Sequence, residues 1–243
     1  MVFKDLDGMF WNLGDFDFQI PHIGDPIKAC AVYTRNMAEI TWNCMRTLEN
    51  NPTTLPQTRT ILRGQSVAGL KIFDLMQVKN YADAAKELIG RIRMGVFKLD
   101  EENACAIHRY AGREDALEWG SFRTSQIGIH GVVYQPPEPS RLHDLCKNGF
   151  ACLEKSVPDP RERSIALFLF MSRSQFFFDA NRRTASLMMN GCLMSHGYWP
   201  ITVLNQESEE FHELLENFYE SGNANAIMEF FSKHVQKLYP GQK

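Results

Sequence analysis

Apolar positions recur at helical spacing along most of this chain. From Ile27 to Leu48, the residues Ala31, Tyr33, Met37, Ile40, Met45 and Leu48 predict a helix, closed by Asn50-Asn51-Pro52. A short segment at 58–63 comes next, then helices over about 66–77 and 80–93, the second opening on Asn80 as its cap. Asp100 can cap a helix to Ala111, with Gly112 ending it. The pattern then changes. Ile127–Tyr134 is short, β-favouring and punctuated by Gly128 and Gly131, which predicts a small hairpin or flap ended by Pro136, Pro137 and Pro139. Helical spacing returns over about 140–155, 160–174, 181–196 and 206–238, the last split at Gly222, and Gly197 stands after the third as its terminator. Residues 1–27 mix Phe3, Phe10, Trp11, Phe16 and Phe18 with Gly and Pro, as in an irregular arm packed on a helical body. The fold class expected is mainly α with one small β element.

Composition adds exclusions. A 44% hydrophobic and 23% charged chain is ordinary for a globular protein, and a net charge of -3 gives no global reason to bind nucleic acid. No apolar run approaches the ~20 residues that span a bilayer, and the N-terminus has no signal-peptide core. The six cysteines are scattered, without the close pairs of a structural zinc site. Together these read as a cytoplasmic setting with free thiols, a leaderless secreted effector being compatible too. The chain divides into an arm and helices over 1–99, a core over 100–200, and helices over 201–243 packed on that core as one compact unit. The aromatic arm and the last helices suit a homodimer interface and simple core packing equally.

The chemistry concentrates in Gln175-Phe-Phe-Phe-Asp179-Ala-Asn181-Arg182-Arg183-Thr-Ala-Ser186. One helix ends near Gln175 and another starts near Asn181, with a carboxylate on the link. A helix N-terminus carries unpaired N–H groups and a partial positive charge. Two arginines in that first turn are unfavourable for the helix alone, and a bound anion such as a polyphosphate resolves the conflict. Asp179 beside it could hold Mg²⁺, which takes one or two carboxylates plus phosphate oxygens. The plainer alternative has both arginines solvated or paired with surface acids.

This stretch resembles the Fic signature H-x-F-x-[DE]-[GA]-N-[GK]-R-x-x-R, and Asp179–Ala185 is similar to the D-A-N-K-R-T-A of death-on-curing relatives. Gly120-Ser-Phe-Arg123 is similar to the family's G-x-[FY]-R, and Ile127–Tyr134 with Pro136-Pro137 to its flap. Gly197-Tyr198 with Pro200 is similar to the segment after the family's motif helix. The resemblance spans about residues 100–200 and implies a Fic-type helical bundle with a β-hairpin flap. It implies ATP and Mg²⁺ as cofactors, Asp179 on the metal, Asn181 and the amides after it as an anion hole, and Arg183 on the phosphates. Arg182, where relatives hold Gly or Lys, would add a phosphate contact or block one. A target or partner protein would dock on the flap at Ile127, Gly128, Ile129, His130 and Gly131 by strand addition.

Three positions depart from the pattern. Gln175 stands where the family keeps its catalytic histidine, and an amide cannot accept a proton from a target hydroxyl, a loss typically costing ~10²–10⁴-fold. Ser186 replaces a second arginine that binds the γ-phosphate. Thr58–Gly64 resembles the inhibitory-helix pattern [ST]-x-x-x-E-[GN], with Arg63 in the glutamate's place, from where it would reach the γ-phosphate or lie solvated. These losses suggest a nucleotide-binding pseudoenzyme or regulator. The competing reading is an active transferase of AMP or phosphate to protein hydroxyls.

Overall fold

The computed structural model describes residues 2–238, and its architecture is mainly α. A two-stranded antiparallel hairpin, β1 (Val2–Leu6) and β2 (Met9–Asn12), precedes helices α1 (Pro26–Arg35), α2 (Met37–Glu49), α3 (Leu55–Leu62), α4 (Ile72–Arg93) and α5 (Glu101–Ala111). After a long irregular segment come α6 (Leu142–Ser156), α7 (Pro160–Ser174), α8 (Asn181–Ser195), α9 (Ser208–Ser221) and α10 (Asn225–Leu238). No helix among the described residues is long and apolar enough to cross a membrane.

The centre is the antiparallel pair α7 and α8, which pack against each other more extensively than any other two elements. Every residue from Glu162 to Ser174 is buried, and so is every residue from Asn181 to Met194 except Arg182. Neither helix has a polar stripe because neither has a solvent face: α1, α2, α4 and α5 cover α8, while α6 and α10 cover α7. One continuous hydrophobic core results, running from Phe3 to Val235.

Several boundaries differ from the expected ones for local reasons. The N-terminal arm is ordered rather than irregular: Trp11 is fully buried and donates to Glu162 Oε1 at 2.8 Å, and Phe10 pairs its backbone with Gly222. The 27–48 pattern is two helices broken at Asn36, whose side chain turns back onto Val32 O at 2.9 Å. The expected break at Asn80 is absent. Its amide reaches across to Arg113 O at 2.8 Å, so it does not compete with its own helix. Residues 127–134 form no strand. A turn closed by Val132 N donating to Ile129 O marks the flap tip, but its arms are not paired, and the small β element is the N-terminal hairpin instead.

The caps at Asp100, Gly112 and Gly222 fall where the chain chemistry puts them. Gly197 also ends α8 with φ at +75°, and a Cβ there would meet the Gly24–Asp25 backbone at 2.8 Å, so this position both turns the chain and admits a close crossing.

Candidate functional site

Residues 175–180 join the two most buried helices in a tight loop, so the backbone turns sharply at both ends. Gln175 (φ 48°) and Ala180 (φ 55°) both take the left-handed conformation, which costs an ordinary residue about 1–2 kcal/mol. The loop is held by packing and hydrogen bonds. Phe176 and Phe177 are buried, and Phe177 stacks on the His108 ring at 3.8 Å between centroids. Asn181 accepts from Phe177 N at 2.8 Å and donates to Phe177 O at 2.7 Å. Its side chain is therefore a brace across the loop, not an open anion ligand.

Gln175 is tied at both ends of its amide. Nε2 donates to Ser172 O at 2.7 Å, and Oε1 accepts from Asn181 Nδ2 at 3.0 Å. Ala180 gives α8 no side-chain cap, so the first amides of the helix depend on what lies before them. Before them is a cavity of about 310 Å³, bounded by Gln175, Phe178, Asp179, Ala180, Asn181 and Arg182 on the motif side. Ile127, Gly128, Ile129 and His130 close it from the flap, with Glu49 and Tyr219 at the sides. Gly131 lies beyond the lining.

The charges are arranged differently from the sequence expectation. Asp179 is 53% exposed at the cavity, accepting from Ala180 N at 2.5 Å. Arg182 is half-buried and lines it. Arg183 does not. Its side chain is 0% exposed behind the carboxylates of Glu49 and Asp179, donating to Ala111 O at 2.9 Å and Asp115 Oδ2 at 2.6 Å. Asp179 Oδ1 lies 3.3 Å from its Nη2. Glu49 Oε1 lies 3.1 Å from Nε, at an angle that makes an ion pair without a hydrogen bond. Three carboxylates neutralise the guanidinium, so in this arrangement its charge is already paired.

Ser186 is buried and lines a separate small void with Cys44 and Thr47, more than a helical turn inside α8. Arg63 is exposed at the end of α3 and does not line the cavity. The Glu-[Gly/Asn] end of the inhibitory-helix pattern is also met by Glu49-Asn50 at the end of α2, where Asn50 takes φ 52°, a conformation that Gly and Asn tolerate best. Met45 stands at the pattern's hydroxyl position, which hid the match. Glu49 is the residue of that stretch that meets Arg183.

Two buried residues to which the motif reading gave no role, His108 and Arg123, assemble the site. His108 Nδ1 accepts from Gly120 N at 3.0 Å, which leaves the hydrogen on Nε2 to donate to Asp179 O at 3.1 Å. Burial first of all, with Arg183 nearby, pulls its pKa down to about 4. Arg123 donates to Gln175 O at 2.6 Å, to Ser125 O at 3.0 Å and to Pro137 O, binding both ends of the flap to the motif loop. Gly120-Ser-Phe-Arg123 was the available signal for Arg123. His108 lies in an unremarkable amphipathic helix and had none.

Comparison with known proteins is consistent with this geometry. The family model described as Fic/DOC family matches residues 98–193. A curated relative, "Protein adenylyltransferase Fic" of Drosophila persimilis, is 26% identical over 198 residues, covering 78% of this chain and 38% of the relative. The chain thus spans about two-fifths of the length of such relatives. Among solved structures, Fic-1 of C. elegans superposes with a TM-score of 0.74 at 22% identity, covering 86% of this chain and 64% of that one. A Fic domain containing signaling protein from Bacteroides thetaiotaomicron gives 0.68 at 18% identity, covering 90% and 86%.

Proposed function

We propose that this chain, whose residues 98–193 match the Fic/DOC family model, is a nucleotide-binding member of that family whose AMP-transfer chemistry is impaired and which acts as a regulator of a partner protein. The observation that carries this reading is the state of position 175. The group there has no titratable proton acceptor, and both ends of its amide are already engaged by Ser172 and Asn181. General base catalysis requires a group within hydrogen-bond reach of the target hydroxyl that can take its proton. Gln175 has no titratable group that could take that proton.

The residues present fit a nucleotide with its metal. The uncapped start of α8 and Arg182 would receive phosphate oxygens, and Asp179, half exposed beside them, would hold Mg²⁺. A cavity of about 310 Å³ is at the small end of the ~300–1,000 Å³ usual for ligand sites. The metal, when bound, neutralises phosphate charge. The protein's own part is to fix the loop through Asn181, His108 and Arg123, and to present Gln175, which can orient a hydroxyl but not deprotonate it. Engaging Arg183 with phosphate would first require Glu49 to leave. The flap, with its backbone arms unpaired, is where a partner segment would add main-chain hydrogen bonds.

The test is incubation of the protein and of Gln175→His with ATP labelled at the α-phosphate, Mg²⁺ and lysate, alongside calorimetry with ATP. The expected result is nucleotide binding by both and label transfer by the histidine variant alone. Transfer by the wild type at a comparable rate would replace this reading with that of an active transferase. Absence of nucleotide binding in both would end the nucleotide reading altogether.

A further inference from the structure

A second cavity, of about 320 Å³, lies at the opposite end of the central helix pair, where α7 begins and α8 ends. Phe97 packs on α8 at Gly191, where a Cβ would come within 2.3 Å of the ring, and Lys98 and Leu99 after it line the cavity beside the last turn of the helix. His196 at its wall is about 22 Å along α8 from Asn181, so this cavity is distinct from the motif site.

Its chemistry is set by Arg163, only 8% exposed in the first turn of α7. A buried guanidinium is costly unless an opposite charge or a full set of acceptors meets it. Arg163 Nη1 donates to Val157 O at 3.2 Å and Nη2 to His196 Nε2 at 3.0 Å, and the side chain lies against the Cys192 thiol. Its Nε is buried without a partner, and no carboxylate pairs with it among the described residues. His196 gives no charge: with Nε2 accepting, Nδ1 carries the hydrogen and donates to Cys192 O at 2.8 Å. The end of α8 supplies about half a negative charge. Lys98 lines the exposed mouth and Glu154 the rim. Two full cations therefore face one solvated carboxylate around a hollow that side chains leave unfilled.

We propose that this cavity binds a small oxyanion, a carboxylate or a phosphate, between Arg163 and Lys98. Nη1 and Nη2 each keep a second hydrogen beyond those given to Val157 O and His196 Nε2, and these suit an oxyanion over which Lys98 closes as a mobile charge.

The experiment uses the full chain carrying Arg182→Ala, which weakens anion binding at the motif cavity. Side-chain nitrogen NMR of His196 is monitored at pH 7 and constant ionic strength during titration with orthophosphate and, separately, with succinate. A saturable shift of His196 with one or both is expected, and which of them saturates identifies the oxyanion. Lys98→Ala, on an exposed side chain, weakens that binding about tenfold, Glu154→Gln strengthens it, and Arg163→Lys weakens it if that variant folds. No saturable shift with either anion overturns the proposal, as does a shift indifferent to both Lys98→Ala and Glu154→Gln.

Discussion

Lowering the pH should unclamp the motif loop through His108, because its ring is neutral in the folded protein and has to remain so. Nδ1 accepts from Gly120 N, so a proton placed there breaks that bond and sets a donor against a donor. Phe177 covers one face of the ring, and the residue is 0% exposed, so water cannot compensate. The folded pKa is about 4, against about 6.5 in an unfolded chain. The unfolded state therefore binds the extra proton between these values, and stability rises with pH across that window. The contribution is fully present above about pH 6.5 and is lost progressively as pH falls toward 4. The whole shift corresponds to about 3 kcal/mol, of which about 2 kcal/mol is lost between pH 7 and pH 5. The assay is urea denaturation of wild type and His108→Gln at several pH values, since the difference between them removes carboxylates common to both. Imidazole NMR should show His108 as the Nε2–H tautomer and untitrated at pH 5. Parallel stability profiles in the two proteins, or a native pKa near 6.5, would refute the clamp.

The same geometry sets other outcomes. Glu49→Ala removes one of three carboxylates on Arg183, and calorimetry should show tighter ATP binding; unchanged affinity would mean that Arg183 stays with Asp115 regardless. Arg183→Ala strands the buried Asp115 carboxylate and leaves Glu49 unpaired at the cavity wall, and should destabilise the protein by about 3–5 kcal/mol in denaturant melts. A small loss would show that water reaches them. Ala180→Gly relieves a left-handed backbone and should add about 1 kcal/mol, less the entropy glycine gains when unfolded. A drop in melting temperature would place the strain elsewhere.

Local chemistry along the chain determined where most helices start and stop, because caps and terminators act within a few residues. Asp100, Gly112, Gly197 and Gly222 each act on the backbone beside them, and the spacing around them is legible without a fold. The motif from Gln175 to Ser186 was legible for the same reason, as was the cavity's motif face. Asp179, Arg182 and the flap residues Ile127 to His130 do line one hollow.

Tertiary packing decided the rest. Whether Arg183 points to phosphate or into the interior depends on Glu49 and Asp115, which arrive from α2 and from the turn after α5, and no spacing rule links them to α8. Asn80 reads as a cap until Arg113 is brought opposite, and Asn181 reads as an anion ligand until the loop folds back onto it. The β element moved because pairing needs a partner strand: β1 and β2 have one two residues apart, while the flap leaves its edge open. A chain can specify which groups it carries and how its backbone bends at each residue. Which charges end up neutralising each other is settled only when distant helices close over them and water is expelled.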